Sequence, residues 1–168
     1  MNEPIRQTDD LNVVERHFGL ICKVARGFAT NEHDFDDLVQ EIAINVWQAF
    51  GSFDYENAET TFVYRVATNR AISWYRKRKR SRKLLGEFAI WRRQNAPTPH
   101  RSDCRLEMLY AAIQRLSEVE RALVIMHLDA ASYEQMAEVI GISVSNVGVK
   151  LNRAKTKLKR IIELGENQ

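Results

Sequence analysis

The stretch from Ser132 to Ile161, SYEQMAEVIGISVSNVGVKLNRAKTKLKRI, contains two segments with helical apolar periodicity, separated by a few residues around Gly141. Glycine tolerates the left-handed backbone that ends many helices, and serine is a common cap at a helix N-terminus, as Ser132 and Ser143 would be. Beyond the glycine, apolar residues recur at steps of four and three: Val147, Leu151, Ala154, Leu158 and Ile161. The pattern predicts two consecutive helices joined by a tight turn, a helix-turn-helix.

The second of these helices has a free face that suits the major groove of DNA. Its positions are small or polar at the start and cationic further along, and no acidic residue occurs between 143 and 162. Early side chains on such a helix can reach base edges, while later cations pair with phosphates. A Lys-rich helix alone is more often a solvated surface helix, but the capped helix and the glycine turn before it favour DNA binding. The residues of this face are Ser145, Asn146, Val149, Lys150, Arg153 and Lys157.

Charge is strongly separated along the chain, although the net charge is only +3. Residues 1–59 carry 12 acidic and 4 basic side chains, residues 60–105 carry 13 basic and 2 acidic ones, and residues 106–168 carry 8 of each. Solubility alone does not require such separation. The separation of charge indicates one surface that repels polyanions and two that attract them.

Helical periodicity dominates the rest of the chain, so we predict an all-α fold. Apolar residues recur at helical spacing from Leu11 to about Ala29. A second helix is expected to begin with Asp34 as its N-cap, and a third to begin near Glu59 and to continue past Trp74.

A domain boundary is expected at Pro97 and Pro99, because proline cannot lie inside a helix. We predict two small helical domains, residues 1–94 and 104–168, joined by a flexible linker at residues 95–103. Four further helical segments follow the linker, and three of them open with a serine. The fold is then two small bundles, the C-terminal one containing the helix-turn-helix.

The third helix ends in a basic run, with seven cationic residues among positions 76–83. Four aromatic residues, Phe62, Tyr64, Trp74 and Tyr75, lie in the same helix. Cations attract phosphates and release counterions, and aromatic faces can hold unstacked bases, so this combination favours single-stranded DNA. The alternative is a core stripe with a solvated basic end. Burial in the core is the better interpretation for Trp74, and both alternatives stay open for Phe62 and Tyr64.

The second helix carries an acidic face, in which Asp37 and Glu41 are four residues apart and therefore neighbours. We favour a docking patch for basic groups of a partner protein. Capping and stabilisation of the helix dipole would explain the first-turn acids without any function. A divalent-metal site for phosphodiester hydrolysis, built from Asp36, Asp37 and Glu41, is the third alternative. No histidine or further acid completes its ligand set, so no metal, cofactor or catalytic residue is predicted.

The sequence gives no sign of a membrane segment. No apolar run approaches the roughly 18 residues that span a bilayer, and the N-terminus is polar and acidic, without the apolar core of a signal peptide. We therefore expect a cytoplasmic protein with no membrane insertion.

Three segments together resemble bacterial sigma factors of the extracytoplasmic-function group. DDLVQEIAINVWQAF (36–50) is similar to the core-polymerase-binding helix of that family, and TTFVYRVATNRAISWYRKRKR (60–80) to its promoter-melting and -10-reading segment. LSEVERALVIMHLDAASYEQMAEVIGISVSNVGVKLNRAKTKLKR (116–160) is similar to its -35-reading domain. The resemblance implies an alternative sigma factor that binds core RNA polymerase and promoter DNA and directs transcription initiation without catalysis of its own. It also implies an anti-sigma factor as a partner.

The resemblance assigns roles to individual residues. Those expected to dock on core polymerase are Asp36, Asp37, Gln40, Glu41 and Asn45. Those expected to line the -10 strand are Phe62, Asn69, Arg70, Ser73, Arg76, Lys77, Arg78 and Arg80. Those expected to contact the -35 duplex are Ser143, Ser145, Asn146, Lys150 and Arg153. The loop at 51–58 would lie near a flipped base, and the linker would thread toward the polymerase active-site channel.

Three departures from the family pattern concern promoter preference. Phe62 stands where the family usually has Trp, which keeps a stacking surface, and Ser73 stands where Asp is common. Gly148 and Val149 replace residues that are usually polar or basic. We therefore expect -10 and -35 preferences that the family average would not predict.

Two other functions compete with this interpretation. One is a stand-alone helix-turn-helix transcriptional regulator, in which residues 1–95 form a ligand-sensing or dimerisation domain and which binds promoter duplex without polymerase. The other is the metal-dependent nuclease that the acidic face would serve.

Overall fold

The computed structural model describes residues 13–54, 58–85 and 104–165, and within these ranges it contains helices and no strand. The helices are α1 (Phe18–Phe28), α2 (Glu32–Phe50), α3 (Glu59–Leu85), α4 (Cys104–Ile113), α5 (Glu118–Leu128), α6 (Tyr133–Ile140) and α7 (Val144–Gly165). Residues 13–16 are also helical. The all-α prediction, the third helix and the four later helices are confirmed. The predicted linker lies outside the described residues.

The start of α2 differs from the prediction, because Asn31 and not Asp34 is the N-cap. The side-chain oxygen of Asn31 accepts a hydrogen bond from the backbone N–H of Asp34 at 2.8 Å. Asp34 instead lies fully buried in the first turn, where it accepts a hydrogen bond from Thr30 Oγ1 at 2.8 Å and pairs with Arg78 of α3. Both residue types cap helices well, so the local pattern could not decide between them.

The helix-turn-helix forms as predicted. Gly141 ends α6 with a φ of 74°, which a residue with a Cβ adopts only at a cost. Ser132 and Gln135 cap its start reciprocally, with hydrogen bonds of 2.8 and 3.2 Å. The hydroxyl of Ser143 accepts the N–H of Asn146 at 3.3 Å and opens α7. The buried residues of α7 are Val147, Leu151, Ala154 and Leu158, with Ile161 half-buried.

The aromatic residues of α3 have different environments. Trp74 and Tyr64 are 9% and 3% exposed, so both belong to the core. Phe62 is half-buried, and its ring lies 5.0 Å from that of Phe53 and 6.2 Å from that of Phe50. The burial favoured for Trp74 is therefore confirmed, and Phe62 and Tyr75 are only partly buried.

The N-terminal and C-terminal domains pack against each other. Helix α6 packs on α3, and α5 packs on α1. The contact is so close at Gly27 that an added Cβ would stand 2.2 Å from Cδ1 of Ile125. The apolar core is consequently continuous between the two domains. Helical periodicity predicted both bundles but carried no information on how they meet.

Candidate nucleic-acid and protein-binding surfaces

The exposed side of α2 combines acidic, amide and large apolar side chains. Gln40 is exposed, Asp37 and Glu41 are half-buried, and Ile44 and Trp47 remain 51% and 44% exposed. Steps of three and four residues place all five on one side of the helix, opposite the buried Leu38, Ile42 and Val46. We call these five residues the acidic stripe. Two exposed hydrophobic side chains beside carboxylates are typical of a protein-binding surface.

Ile44 and Trp47 were absent from the predicted docking set, which contained only polar residues of this helix. Their spacing of three or more residues from Asp37 and Glu41 could have shown that they lie on the same side of the helix. Of the remaining predicted docking residues, Asp36 is exposed and could extend the stripe. Asn45 donates its amide N–H to the backbone oxygen of Glu41 at 2.7 Å, so that donor is engaged within the helix.

At one point, the acidic stripe is in contact with a residue that is predicted to bind DNA. Glu41 forms an ion pair with Arg70 of α3, and both side chains are a little over one-third exposed. A residue expected to bind polymerase thus holds a residue expected to bind the -10 strand. Within the described part of the chain, no cluster of three or more His, Cys, Asp or Glu could hold a metal ion.

The basic half of α3 forms a cationic groove. Ser73, Arg76, Lys79 and Arg80 line an open depression of about 560 Å³. Asn69 and Lys77 are exposed on the same helix next to it. Lys79 was absent from the predicted set and is brought in by the helix geometry, one turn from Arg76.

Arg78 does not line this groove. Its guanidinium pairs with the buried Asp34 of α2 and lies 5.0 Å from the centre of the Trp74 ring. Arg76 lines the groove and also has a neighbour of opposite charge, since its Nε lies 4.0 Å from a carboxylate oxygen of Glu118 in the C-terminal domain. Of the predicted -10 cations, Arg70 and Arg78 therefore pair with acidic residues of α2, whereas Arg76 and Arg80 line the groove.

A smaller cavity of about 220 Å³ lies at the N-terminal end of α3. We call it the base cavity; the described residues that line it are Ser52, Phe53, Asp54, Ala58, Phe62, Arg65 and Glu138. Six of them come from the loop before α3 and from α3 itself, where the resemblance placed a flipped base. Glu138 comes from α6 of the other domain and forms an ion pair with Arg65. Arg65 and Glu138 were both absent from the predicted set, and Glu138 reaches the cavity only through the packing of the two domains.

The predicted -35 residues all lie exposed at the start and middle of α7: Ser143, Ser145, Asn146, Lys150 and Arg153. Val149 is 50% exposed between them, and Asn152 and Thr156 are exposed on the same side. Gly148 is half-buried, and a Cβ there would lie 3.6 Å from the ring of Tyr133. The exposed face of α7 is thus polar and cationic around one valine.

Lys157 is partly withdrawn from this face. Its Nζ lies 2.6 Å from Oε1 of Glu120, whose other carboxylate oxygen accepts the backbone N–H of Ser117 at 3.0 Å. Burial raises the pKa of Glu120, but the hydrogen bonds from Lys157 and Ser117 outweigh it, so the pKa lies below its ordinary value. The ionised carboxylate joins the start of α5 to the middle of α7.

Comparison with known proteins identifies the family of the chain that carries these surfaces. Residues 13–81 match the family profile of Sigma-70 region 2, and residues 106–158 match that of Sigma-70, region 4. The chain is 27% identical over 162 residues to the RNA polymerase sigma factor CnrH of Cupriavidus metallidurans, across 90% of this chain and 85% of that protein. It is 26% identical over 143 residues to the ECF RNA polymerase sigma factor SigX of Bacillus subtilis, across 80% and 73%. This chain belongs to the extracytoplasmic-function sigma factors.

Two solved structures share the fold of this sigma factor. The sigma factor RpoE of Bartonella quintana, in complex with the anti-sigma factor NepR, superposes with a TM-score of 0.71 at 20% identity, covering 89% of this chain and 94% of that one. CnrH in complex with the cytosolic domain of CnrY superposes with a TM-score of 0.65 at 22% identity, covering 95% and 96%.

The comparisons confirm the function expected from the resemblance. The sigma factor binds core RNA polymerase and promoter DNA and directs transcription initiation. A stand-alone helix-turn-helix regulator is not favoured, since its N-terminal half would not match Sigma-70 region 2. None of the described helices is long and apolar enough to cross a membrane.

Proposed function

We propose that three surfaces of the sigma factor bind different partners. The acidic stripe of α2 binds core polymerase, the groove and base cavity of α3 bind the opened -10 strand, and the exposed face of α7 binds the -35 duplex. The observation that carries this division is the placement of the cationic groove and the base cavity along one helix. Cations that follow a phosphate backbone beside an aromatic cavity suit one opened DNA strand better than a duplex. Residues 1–94 would then serve polymerase and the -10 strand, residues 104–168 the -35 duplex, and 95–103 would be the tether.

The groove is tested by removing two of its cations. In Arg76→Ala with Arg80→Ala, we expect promoter melting to fail, because two phosphate contacts on the opened strand are lost. Melting is measured as permanganate reactivity of thymines around the start site in complexes with core polymerase. The matched control is Lys155→Ala with Lys159→Ala, which removes the same charge from α7 outside the predicted DNA face. Equal melting by the two double variants would contradict the role of the groove.

The acidic stripe supports docking on a basic and partly apolar surface of core polymerase. Carboxylates at Asp37 and Glu41 provide charge complementarity and a faster encounter. The exposed rings and methyl groups of Trp47 and Ile44 provide the apolar area that a stable interface buries. Trp47→Ala is therefore expected to weaken polymerase binding by about 1–3 kcal/mol without a loss of helix content.

The exposed face of α7 supports reading of the -35 element in the major groove. Ser145 and Asn152 can donate or accept hydrogen bonds at base edges, and Arg153 can donate them. Val149, the apolar group among them, suits the C5-methyl group of thymine. Replacing each thymine of a bound -35 duplex by deoxyuridine should reveal one position at which the wild type loses about fourfold in affinity. The affinity of Val149→Ala should be the same for the thymine and the deoxyuridine duplex at that position. An equal loss of affinity in both proteins would contradict the contact.

Two further properties follow from the family rather than from a surface of this chain. The structures of RpoE with NepR and of CnrH with CnrY support an anti-sigma factor as a regulator of this sigma factor too. Because the polymerase and its promoters are cytoplasmic, we infer that it acts in the cytoplasm, and that the catalysis of RNA synthesis belongs entirely to the polymerase.

A further inference from the structure

The middle of the exposed face of α7 consists of the residues that lie opposite its buried side. Two positions along an α-helix correspond to a rotation of about 200°, so a residue two positions before a buried one points almost directly away from it. The buried residues of α7 define four such positions, and all four are exposed: Ser145, Val149, Asn152 and Thr156. We call these four residues the reading stripe. Steps of four, three and four residues keep them in one line along the helix.

The side chains of the reading stripe differ in how many bases they can distinguish. The hydroxyl of Ser145 both donates and accepts, so it fits several base edges. Val149 offers only apolar contact. The hydroxyl of Thr156 donates to the backbone oxygen of Asn152 at 3.0 Å, so its donor is engaged within the helix. The amide of Asn152 is therefore the group of the stripe that holds a donor and an acceptor side by side in a fixed geometry.

A carboxamide matches one base in the major groove. Adenine presents a donor at N6 beside an acceptor at N7, and the oxygen and the amide nitrogen of asparagine can pair with both at once. Guanine presents two acceptors instead, so the oxygen of Asn152 would meet O6 without a proton between them. Val149 and Thr156 lie about one turn to either side of Asn152, and their methyl groups suit the C5-methyl groups of neighbouring thymines. The reading stripe as a whole therefore favours A·T pairs.

We propose that Asn152 specifies an adenine in the -35 element of this sigma factor and is the main determinant of base preference on α7. The proposal rests on the proposed function of the exposed face of α7. Cations beside the reading stripe, such as Lys150, contribute affinity and orientation through phosphates instead of base preference. Adenine should be preferred over the other bases at this position by about five- to a hundredfold, the discrimination expected of a bidentate pair.

The first test exchanges the base that is read. Core polymerase with the wild-type chain or a variant selects promoters from a library whose -35 region is randomised, and the bound DNA is sequenced. The wild type should select one adenine position, and Asn152→Gln should keep it, since glutamine offers the same carboxamide. Asn152→Ala should reduce the preference at that position below about twofold, and Asn152→Arg should replace the adenine by guanine, whose O6 and N7 a guanidinium binds. A merely structural role of Asn152 would lower the affinity without exchanging the base.

Asn146→Ala is the matched control, because it removes the same side chain from an exposed position of α7 outside the reading stripe. This variant should still select the adenine. An unchanged adenine preference in Asn152→Ala or in Asn152→Arg, or loss of the preference in Asn146→Ala alone, would overturn the proposal. If the wild type selects no shared sequence in the randomised region, the proposed reading of the -35 element by α7 fails instead.

The second test removes single groups from the selected adenine. In synthetic promoters, 7-deazaadenine replaces the N7 acceptor by a C–H group, and purine lacks the N6 amino group, so each eliminates one of the two hydrogen bonds. Each replacement should weaken binding of the wild-type holoenzyme by about two- to tenfold, the contribution of one hydrogen bond, and that of Asn152→Ala by less than about twofold. The same replacements at an adenine outside the selected element are the control. Equal losses in the two proteins at the selected adenine would assign the contact to another residue and overturn the proposal.

Discussion

Replacing Asp34 by alanine tests whether the buried ion pair between α2 and α3 stabilises the N-terminal domain. The Asp34 side chain is fully buried, accepts the Thr30 hydroxyl at 2.8 Å and pairs with Arg78. The alanine removes an acceptor and leaves the cation of Arg78 beside Trp74 without its partner. Because none of these groups lines the cationic groove, the main expected effect is on stability.

The magnitude follows from burial on each side of the pair. A lost hydrogen bond from Thr30 costs about 1 kcal/mol. Breaking a fully buried ion pair costs about 3–5 kcal/mol, but the Arg78 side chain is 37% exposed. Water can replace part of the lost interaction, so we reduce this contribution to about 1–2 kcal/mol. The free energy of unfolding should fall by about 2–3 kcal/mol in Asp34→Ala and by about 1–2 kcal/mol in Asp34→Asn, which keeps an acceptor for Thr30.

The assay is urea unfolding followed by circular dichroism, with a double-mutant cycle as its control. Adding Arg78→Met to Asp34→Ala removes the unpaired cation and keeps an apolar side chain near Trp74, so the double variant should recover part of the loss. A change below about 0.5 kcal/mol in Asp34→Ala would refute the argument from burial. Strict additivity of the two substitutions would show that the pair contributes no coupling energy.

Three further predictions concern the other surfaces. Asp37→Lys with Glu41→Lys should abolish co-purification with core polymerase while the circular dichroism spectrum is unchanged; normal co-purification would refute docking by the acidic stripe. Lys150→Ala with Arg153→Ala should reduce the slope of log affinity for promoter duplex against log salt by about 2; an unchanged slope would exclude phosphate contacts by these residues. Because the pKa of Glu120 is lowered in the folded protein, its stabilisation is complete above its ordinary pKa of 4.5 and is lost as the pH falls through the folded value. The free energy of unfolding should therefore decline less between about pH 5 and pH 3 in Glu120→Gln than in the wild type, and parallel curves would contradict this.

Local signals in the sequence predicted the parts of the fold that depend on neighbours in the chain. The serine caps and Gly141 act within one helical turn, so they gave the helix-turn-helix and its buried stripe correctly. The exposed face of α7 followed from the same periodicity.

Features that depend on contacts between distant segments were not predictable in this way. Asp34 is buried against Arg78, 44 residues further along. An aspartate, a residue type that often caps helices, is therefore an ion-pair partner here. Arg78 in turn pairs with Asp34 and does not line the cationic groove. The placement of Glu138 in the base cavity depends on the packing of whole domains, about which periodicity carries no information.

As a sigma factor, this chain should make core RNA polymerase start at promoters that the polymerase does not use alone. The most direct measurement is run-off transcription with purified core polymerase and a random promoter library, with and without the chain, followed by sequencing of the transcript starts. This function predicts new, discrete starts that require the chain and that lie downstream of two shared motifs at a fixed separation. Transcripts with the same starts in both reactions would contradict it.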